Sequence, residues 1–140
     1  MLILIDTSAF IEFLNRTGSV FEREITRLIE EDTEDIALAN LTVTEVLQGI
    51  RDDGRFQITR DALLTFTILA PRGGESYVAA AELYRECRRQ GLTVRSTIDL
   101  VIAQIALEND AVLLHNDRDF GAIGTACGLR TYLLASTPEA

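Results

Sequence analysis

Residues 2–8 read LILIDTS: four apolar residues, Leu2 to Ile5, run straight into Asp6, Thr7 and Ser8. A short continuous apolar run that stops at an acid is the pattern of a strand buried on both faces. Such strands belong to parallel sheets covered by helices. Residues 111–121, AVLLHNDRDFG, repeat the pattern, with Ala111 to Leu114 leading into His115, Asn116, Asp117, Arg118 and Asp119. This second unit sets the chain's only histidine beside two carboxylates. On its own it reads as a histidine site, a carboxylate site or a polar turn.

Working outward, Ile36–Ala39 and Thr67–Ala70 read as further strands and Arg130–Leu134 as a closing one. Helical spacing marks Ser8–Leu14, capped by Thr7 or Ser8, then Val20–Ile29, a segment from Thr42 to Ile50, and Arg55–Phe66. Pro71 to Gly74 is a loop. Glu75–Gln90, followed by Gly91, reads as a helix with its C-cap, and Phe120–Cys127 as a short helix or turn. Thr97–Glu108 (TIDLVIAQIALE) is apolar around most of its circumference, which predicts a central, buried helix. Strands alternating with helices predict an α/β fold with a mainly parallel sheet. A length of 140 residues suits a single domain over 1–140.

Hydrophobic residues at 47% and charged residues at 25% describe a globular chain rather than a disordered one. No apolar run approaches the roughly 20 residues that span a bilayer. The start lacks a basic region and a cleavage site, so no signal peptide and a cytoplasmic location are expected. Cys87 and Cys127 lie far apart without CxxC spacing or a nearby histidine, which indicates neither a zinc site nor a disulfide framework. The net charge of −9 argues against holding nucleic acid by general phosphate attraction. An anionic substrate then needs local help from arginines or a metal. Every basic residue is Arg; the chain has no Lys.

Sites in open parallel sheets form outside the carboxyl ends of strands, where Asp6, Asp117 and Asp119 are expected. Two further acids stand early in apolar helices: Glu45 in LTVTEVLQGI and Asp99 in STIDLVIAQIA. Asp99 is the only charged residue between Arg95 and Glu108, where an unpaired buried carboxylate is costly or shifts its pKa. Each acid also admits a structural reading, since Thr42-x-x-Glu45, Ser96-x-x-Asp99 and Asn116-x-x-Asp119 all match a cap followed by an acid at N3. The two readings are compatible, because a helix N-terminus holds a carboxylate ionised and oriented. Ionised carboxylates that converge need protons or a cation, and all-oxygen ligands select Mg²⁺ or Mn²⁺ over zinc.

In order, strand-Asp6-Thr7-Ser8, helical Thr44-Glu45, Asp99-Leu100-x-Ile102-Ala103 and Leu114-x-x-Asp117-x-Asp119-Phe120 resemble the PIN-domain ribonucleases. Within them the chain looks most like the VapC-type toxins of bacterial toxin–antitoxin modules, over essentially its whole length. The resemblance implies a PIN-like three-layer α/β/α sandwich over residues 1–140. It also implies a Mg²⁺- or Mn²⁺-dependent endoribonuclease that cuts single-stranded or loop RNA and leaves 5′-phosphate and 3′-hydroxyl ends. Residue by residue, Asp6, Asp99 and Asp117 become the principal metal carboxylates and Glu45 completes the quartet. Asp119 matches a commonly acidic position of less defined role, Ser8 and Thr44 are supporting hydroxyls, and His115 stands where relatives carry Thr or Ser. Arg95, or the Arg85, Arg88 and Arg89 group, is expected to contact RNA. A homodimer and a VapB-type antitoxin seated in a groove near the acids are the implied partners, while the RNA target, whether tRNA, rRNA or mRNA, stays open.

Two other α/β classes with strand-end acids, phospho-acceptor receiver domains and haloacid-dehalogenase-type phosphatases, need a lysine that this chain lacks. The remaining alternative is a catalytically silent PIN-like module that binds RNA or protein, and its mark is loss of one of the four principal acids. None is lost.

Overall fold

A computed structural model describes residues 1–134. The chain forms β1 (Leu2–Ile5), α1 (Thr7–Leu14), α2 (Val20–Glu31), β2 (Asp35–Ala39), α3 (Asn40–Gln48) and α4 (Asp53–Leu63). It continues with β3 (Thr67–Leu69), α5 (Gly74–Arg89), α6 (Thr97–Glu108), β4 (Val112–Leu114) and α7 (Arg118–Cys127). The sheet order is β3-β2-β1-β4, and all three pairings are parallel. The register sets Ile5 against Leu38 on one side and Leu114 on the other. The chain walks outward from β1 to β3 and then returns across the sheet to β4. The order therefore reverses between β1 and β4, and a crevice opens there at the carboxyl ends.

Alternation along each strand divides the core into two layers. Ile3, Ile5, Leu38 and Leu114 face a cluster with Ala9 and Phe10 of α1, Ile25 of α2, Val46 of α3 and Leu63 of α4. Leu4, Ala37, Ala39 and Leu113 face the opposite cluster, built from α5, α6 and α7. The result is the expected three-layer α/β/α sandwich. α6 is its deepest helix, with Leu100, Val101, Ile102, Ala103, Ile105 and Ala106 all buried. An amphipathic stripe would not suffice for a helix enclosed by α5, α7 and the sheet, hence its all-round apolar sequence.

Four expectations are corrected. Arg130–Leu134 is not a strand: one parallel bridge joins Thr131 to Leu113, with Leu113 N donating to Arg130 O and Tyr132 N to Leu113 O. Residues 135–140, the rest of the expected domain, lie outside the described residues. α3 begins at Asn40, with Ala39 as a cap that offers no side-chain bond, so Glu45 lies in the second turn and not at N3. α7 begins at Arg118 with Asp117 itself as N-cap, and α1 is capped by Asp6 rather than by Thr7 or Ser8. In both cases the carboxylate accepts an orphaned amide two residues on, Ser8 N for Asp6 and Asp119 N for Asp117, a charge-assisted bond at a helix N-terminus. Ser96 does occupy the cap position of α6, without a side-chain bond, and Asp99 falls at N3.

Truncation of Leu4, which has no exposure at the centre of the sheet, should cost about 2–5 kcal/mol as Leu4→Ala. Ile58→Ala on exposed α4 should stay within about 0.5 kcal/mol of wild type. Urea unfolding followed by circular dichroism checks both, and equal losses would contradict the layer assignment.

Candidate active site

Asp6 is 4% exposed and belongs to the turn from β1 into α1. Its Oδ2 accepts the Ser8 amide at 2.9 Å and the Ser8 hydroxyl at 2.5 Å. The Ser8 Oγ in turn accepts the Asn116 amide at 2.9 Å, while Asp6 N donates to Leu114 O at 2.9 Å. One serine hydroxyl thus ties the loop after β1 to the loop after β4. Burial raises the Asp6 carboxyl above its ordinary range, and the Ser8 bonds oppose that rise.

Glu45 reaches the same edge from α3. Thr7 Oγ1 donates to Glu45 Oε1 at 2.8 Å and lies 3.0 Å from Thr42 Oγ1. A hydroxyl has one proton and a carboxylate only accepts, so Thr42, itself fully buried, donates into Thr7. Thr7 and Thr42 were not expected as supports. The supporting role was expected of Thr44, which is exposed and makes no side-chain hydrogen bond among the described residues. The readable signal was helical spacing: from Glu45, Thr42 is three residues back and shares its face, whereas Thr44 adjoins it in sequence and points elsewhere.

Asp99, Asp117 and Asp119 form the tightest group, each offering a carboxylate oxygen within 4.8 Å of the others. Asp117 Oδ1 accepts the Asp119 amide at 3.0 Å. Asp119, 7% exposed, accepts the Arg95 amide at 3.1 Å, and the Arg95 Nε stands 3.7 Å from its other oxygen. The Arg95 side chain is otherwise 70% exposed at the rim. Among the described residues Asp99 has no such partner. Desolvation, followed by the charges of Asp6, Asp117, Asp119 and Glu45, pushes its carboxyl up to about 7. The charges of the other four acids therefore all act on Asp99, and Asp119 belongs to the inner trio.

This arrangement can hold a metal ion. Among the described residues Arg95 is the only basic side chain paired with any of the five acids, so a cation of higher charge is what neutralises them best. His115 takes no part in the trio. Its Nδ1 accepts the Asp117 amide at 3.2 Å, its ring packs against Phe120 with centroids 5.2 Å apart, and burial lowers its pKa. It is a neutral turn residue that orients the loop. Arg85 and Arg89 pair with Glu82 and Glu86 along exposed α5, and Arg88 lies exposed beside them.

Comparison with known proteins agrees with this geometry. Residues 3–125 match the family model described as PIN domain. Ribonuclease VapC11 of Mycobacterium tuberculosis strain H37Rv is 36% identical over 129 residues, covering 92% of this chain and 96% of that protein. Among solved structures, VapBC2 from Rickettsia felis, bound to a DNA fragment from its promoter, superposes with a TM-score of 0.74 at 19% identity, over 94% of this chain and 98% of that one. A toxin–antitoxin complex from Klebsiella pneumoniae gives 0.65 at 24% identity, over 84% and 89%. The chain belongs to the PIN domain family and stands within it among the VapC ribonucleases.

Proposed function

We propose that this chain is a Mg²⁺- or Mn²⁺-dependent endoribonuclease toxin that hydrolyses single-stranded or loop RNA and is silenced by a VapB-type antitoxin. The observation that carries the reading is the convergence of Asp6, Glu45, Asp99, Asp117 and Asp119 on one sheet edge, with Arg95 their one basic partner among the described residues and Asp99 the most perturbed member. The all-oxygen donor set fits a hard divalent ion held by Asp99, Asp117 and Asp119. When bound, such an ion supplies the positive charge that a phosphodiester demands and makes a water acidic enough to attack it.

The protein's residues supply the rest. Asp6, fixed by Ser8, keeps the field at the trio negative and so favours cation capture. Glu45, aimed by the Thr42–Thr7 relay, is placed to orient the attacking water and accept its proton. Arg95 at the rim is placed to hold a phosphate of the RNA backbone. The antitoxin segment is assigned to the cleft of about 330 Å³ between α1, α3 and α4, which opens beside Glu45 and is lined by Ile11, Leu14, Val46, Ile50 and Arg55. Exposed Tyr77, Val78, Tyr84 and Ile98 on α5 and α6 support a second copy docking there as a homodimer. No helix among the described residues is long and apolar enough to cross a membrane, and the proposed site of action is the cytoplasm. Residues 1–140 work as one domain in this reading.

Purified protein should cleave RNA only with Mg²⁺ or Mn²⁺, and Asp99→Asn or Asp117→Asn should lower the rate by roughly 100-fold or more. His115→Thr should keep activity. Equal cleavage by wild type and the Asn variants would point to a contaminating nuclease and sink the assignment. An inert wild type with all acids present would favour the catalytically silent module.

The second expectation concerns pH. The folded pKa of Asp99, about 7, exceeds its unfolded value of about 3.9. The metal-free fold therefore keeps a proton that the unfolded chain has released, and stability from this group falls as pH rises from about 4 to 7. Without metal, Asp99→Asn should melt above wild type at pH 8, with the gap narrowing towards pH 5. Divalent-ion binding should weaken by about tenfold between pH 8 and pH 6, because Asp99 must deprotonate to bind. Titration calorimetry showing pH-independent affinity over that range would contradict the cluster's role.

A further inference from the structure

The chain's two cysteines sit on different helices of one layer. Cys87 lies in the last turns of α5, fully buried, and Cys127 closes α7, partly exposed. The Cys127 thiol donates to Leu83 O at 3.7 Å. Leu83 is four residues before Cys87, so its carbonyl points along α5 at the amide of Cys87, and a sulfur seated there is beside the Cys87 side chain. Consistently, Cys87 is among the neighbours that raise the Cys127 thiol. The Gln90 side chain donates to Ala126 O at 3.2 Å and tethers the same two helix ends.

We propose that Cys87 and Cys127 are an oxidation site: a peroxide converts them to an intramolecular disulfide that staples α5 to α7. The loop so closed contains Arg95, Asp99, Asp117 and Asp119, the larger part of the acid cluster. In the first step the Cys127 sulfur, the more exposed of the two, attacks a peroxide oxygen. The O–O bond breaks, water leaves with the thiol proton, and Cys127 becomes a sulfenic acid. In the second the Cys87 sulfur attacks that sulfur, the S–O bond breaks, and a second water leaves with the Cys87 proton. Two thiols are oxidised and one peroxide is reduced to two waters.

The environment sets the tempo. Burial, reinforced by Cys87, pushes the Cys127 thiol up to about 11, so little thiolate exists at neutral pH and oxidation is slow. The same high value makes Cys127 a poor leaving group in thiol exchange, so the bond persists once formed. Cys127 lies at the far end of α7 from Asp117, and the bond forms away from the acids.

Wild-type protein is exposed to hydrogen peroxide, denatured, alkylated with a maleimide and digested with trypsin. The expected product is a single chain lighter by two hydrogens, free of maleimide, with fragments 86–88 and 119–130 linked until a reductant is added. It should also melt at a higher temperature than the reduced protein. Cys87→Ala should instead stop at one added oxygen on Cys127. Full maleimide labelling of both cysteines after peroxide, linkage only between chains, oxygen accumulating on Cys127 while Cys87 stays free, or a lower melting temperature would each overturn the proposal. The wild-type map alone decides the matter if the variant fails to fold.

Discussion

Five carboxylates held at one edge of a parallel sheet repel one another, and the loops around them are built to withstand that repulsion. The parallel pairing of β1 with β2 and β4 delivers Asp6 and the Asp117–Asp119 turn to the same crevice. α3 and α6 then add Glu45 and Asp99. Two of the acids double as helix caps, Asp6 on α1 and Asp117 on α7, so backbone amides at helix N-termini offset part of their charge. Asp119 leans on the Arg95 amide and guanidinium. Among the described residues Asp99 alone lacks a partner of this kind, and the unrelieved field collects on it.

The apolar layers make such a concentration of charge tolerable. α6 carries Asp99 at N3 and is otherwise anchored by six buried residues, so the carboxylate cannot swing away without disturbing the core. On the other face, Phe10 and Ala9 lock α1 onto the sheet, which keeps the Asp6-Thr7-Ser8 turn in place. Ser8 and Thr7 then spend their hydroxyls across loops, one to the Asn116 amide and one to Glu45. Core packing sets where the acids stand, and hydroxyl bonds set where they point.

Much of this was legible in the sequence because strand patterns are local. A run such as LILI must be covered on both faces, and an acid at its end must lie at a sheet edge, so Asp6, Asp117 and the parallel sheet follow from adjacent residues. Asp99 was legible as an anomaly in an apolar helix. The supports of Glu45 were not, because Thr7 meets it across 38 positions of chain, Thr42 acts through Thr7, and only the α1–α3 packing brings Thr7 within reach. The Thr42 and Asn116 caps were misplaced, while that at Ser96 held, because cap-x-x-acid spacing cannot show which residue first leaves helical geometry. The closing strand failed because Arg130–Leu134 shares only one bridge with β4, and apolar composition does not reveal how many ladder bonds form.

By itself, then, the sequence determined the fold class, the order of strands and helices as far as α7 and the candidate acids, since all three are carried by short-range periodicity and by charges placed where burial forbids them. Only the tertiary structure decided which acids form the inner trio, that Asp119 belongs to it, that His115 is a neutral turn residue, and that Cys87 and Cys127 are neighbours. Each of these depends on the distance between segments far apart in the chain, and that distance is set by how helices pack on a shared sheet. No local pattern encodes it.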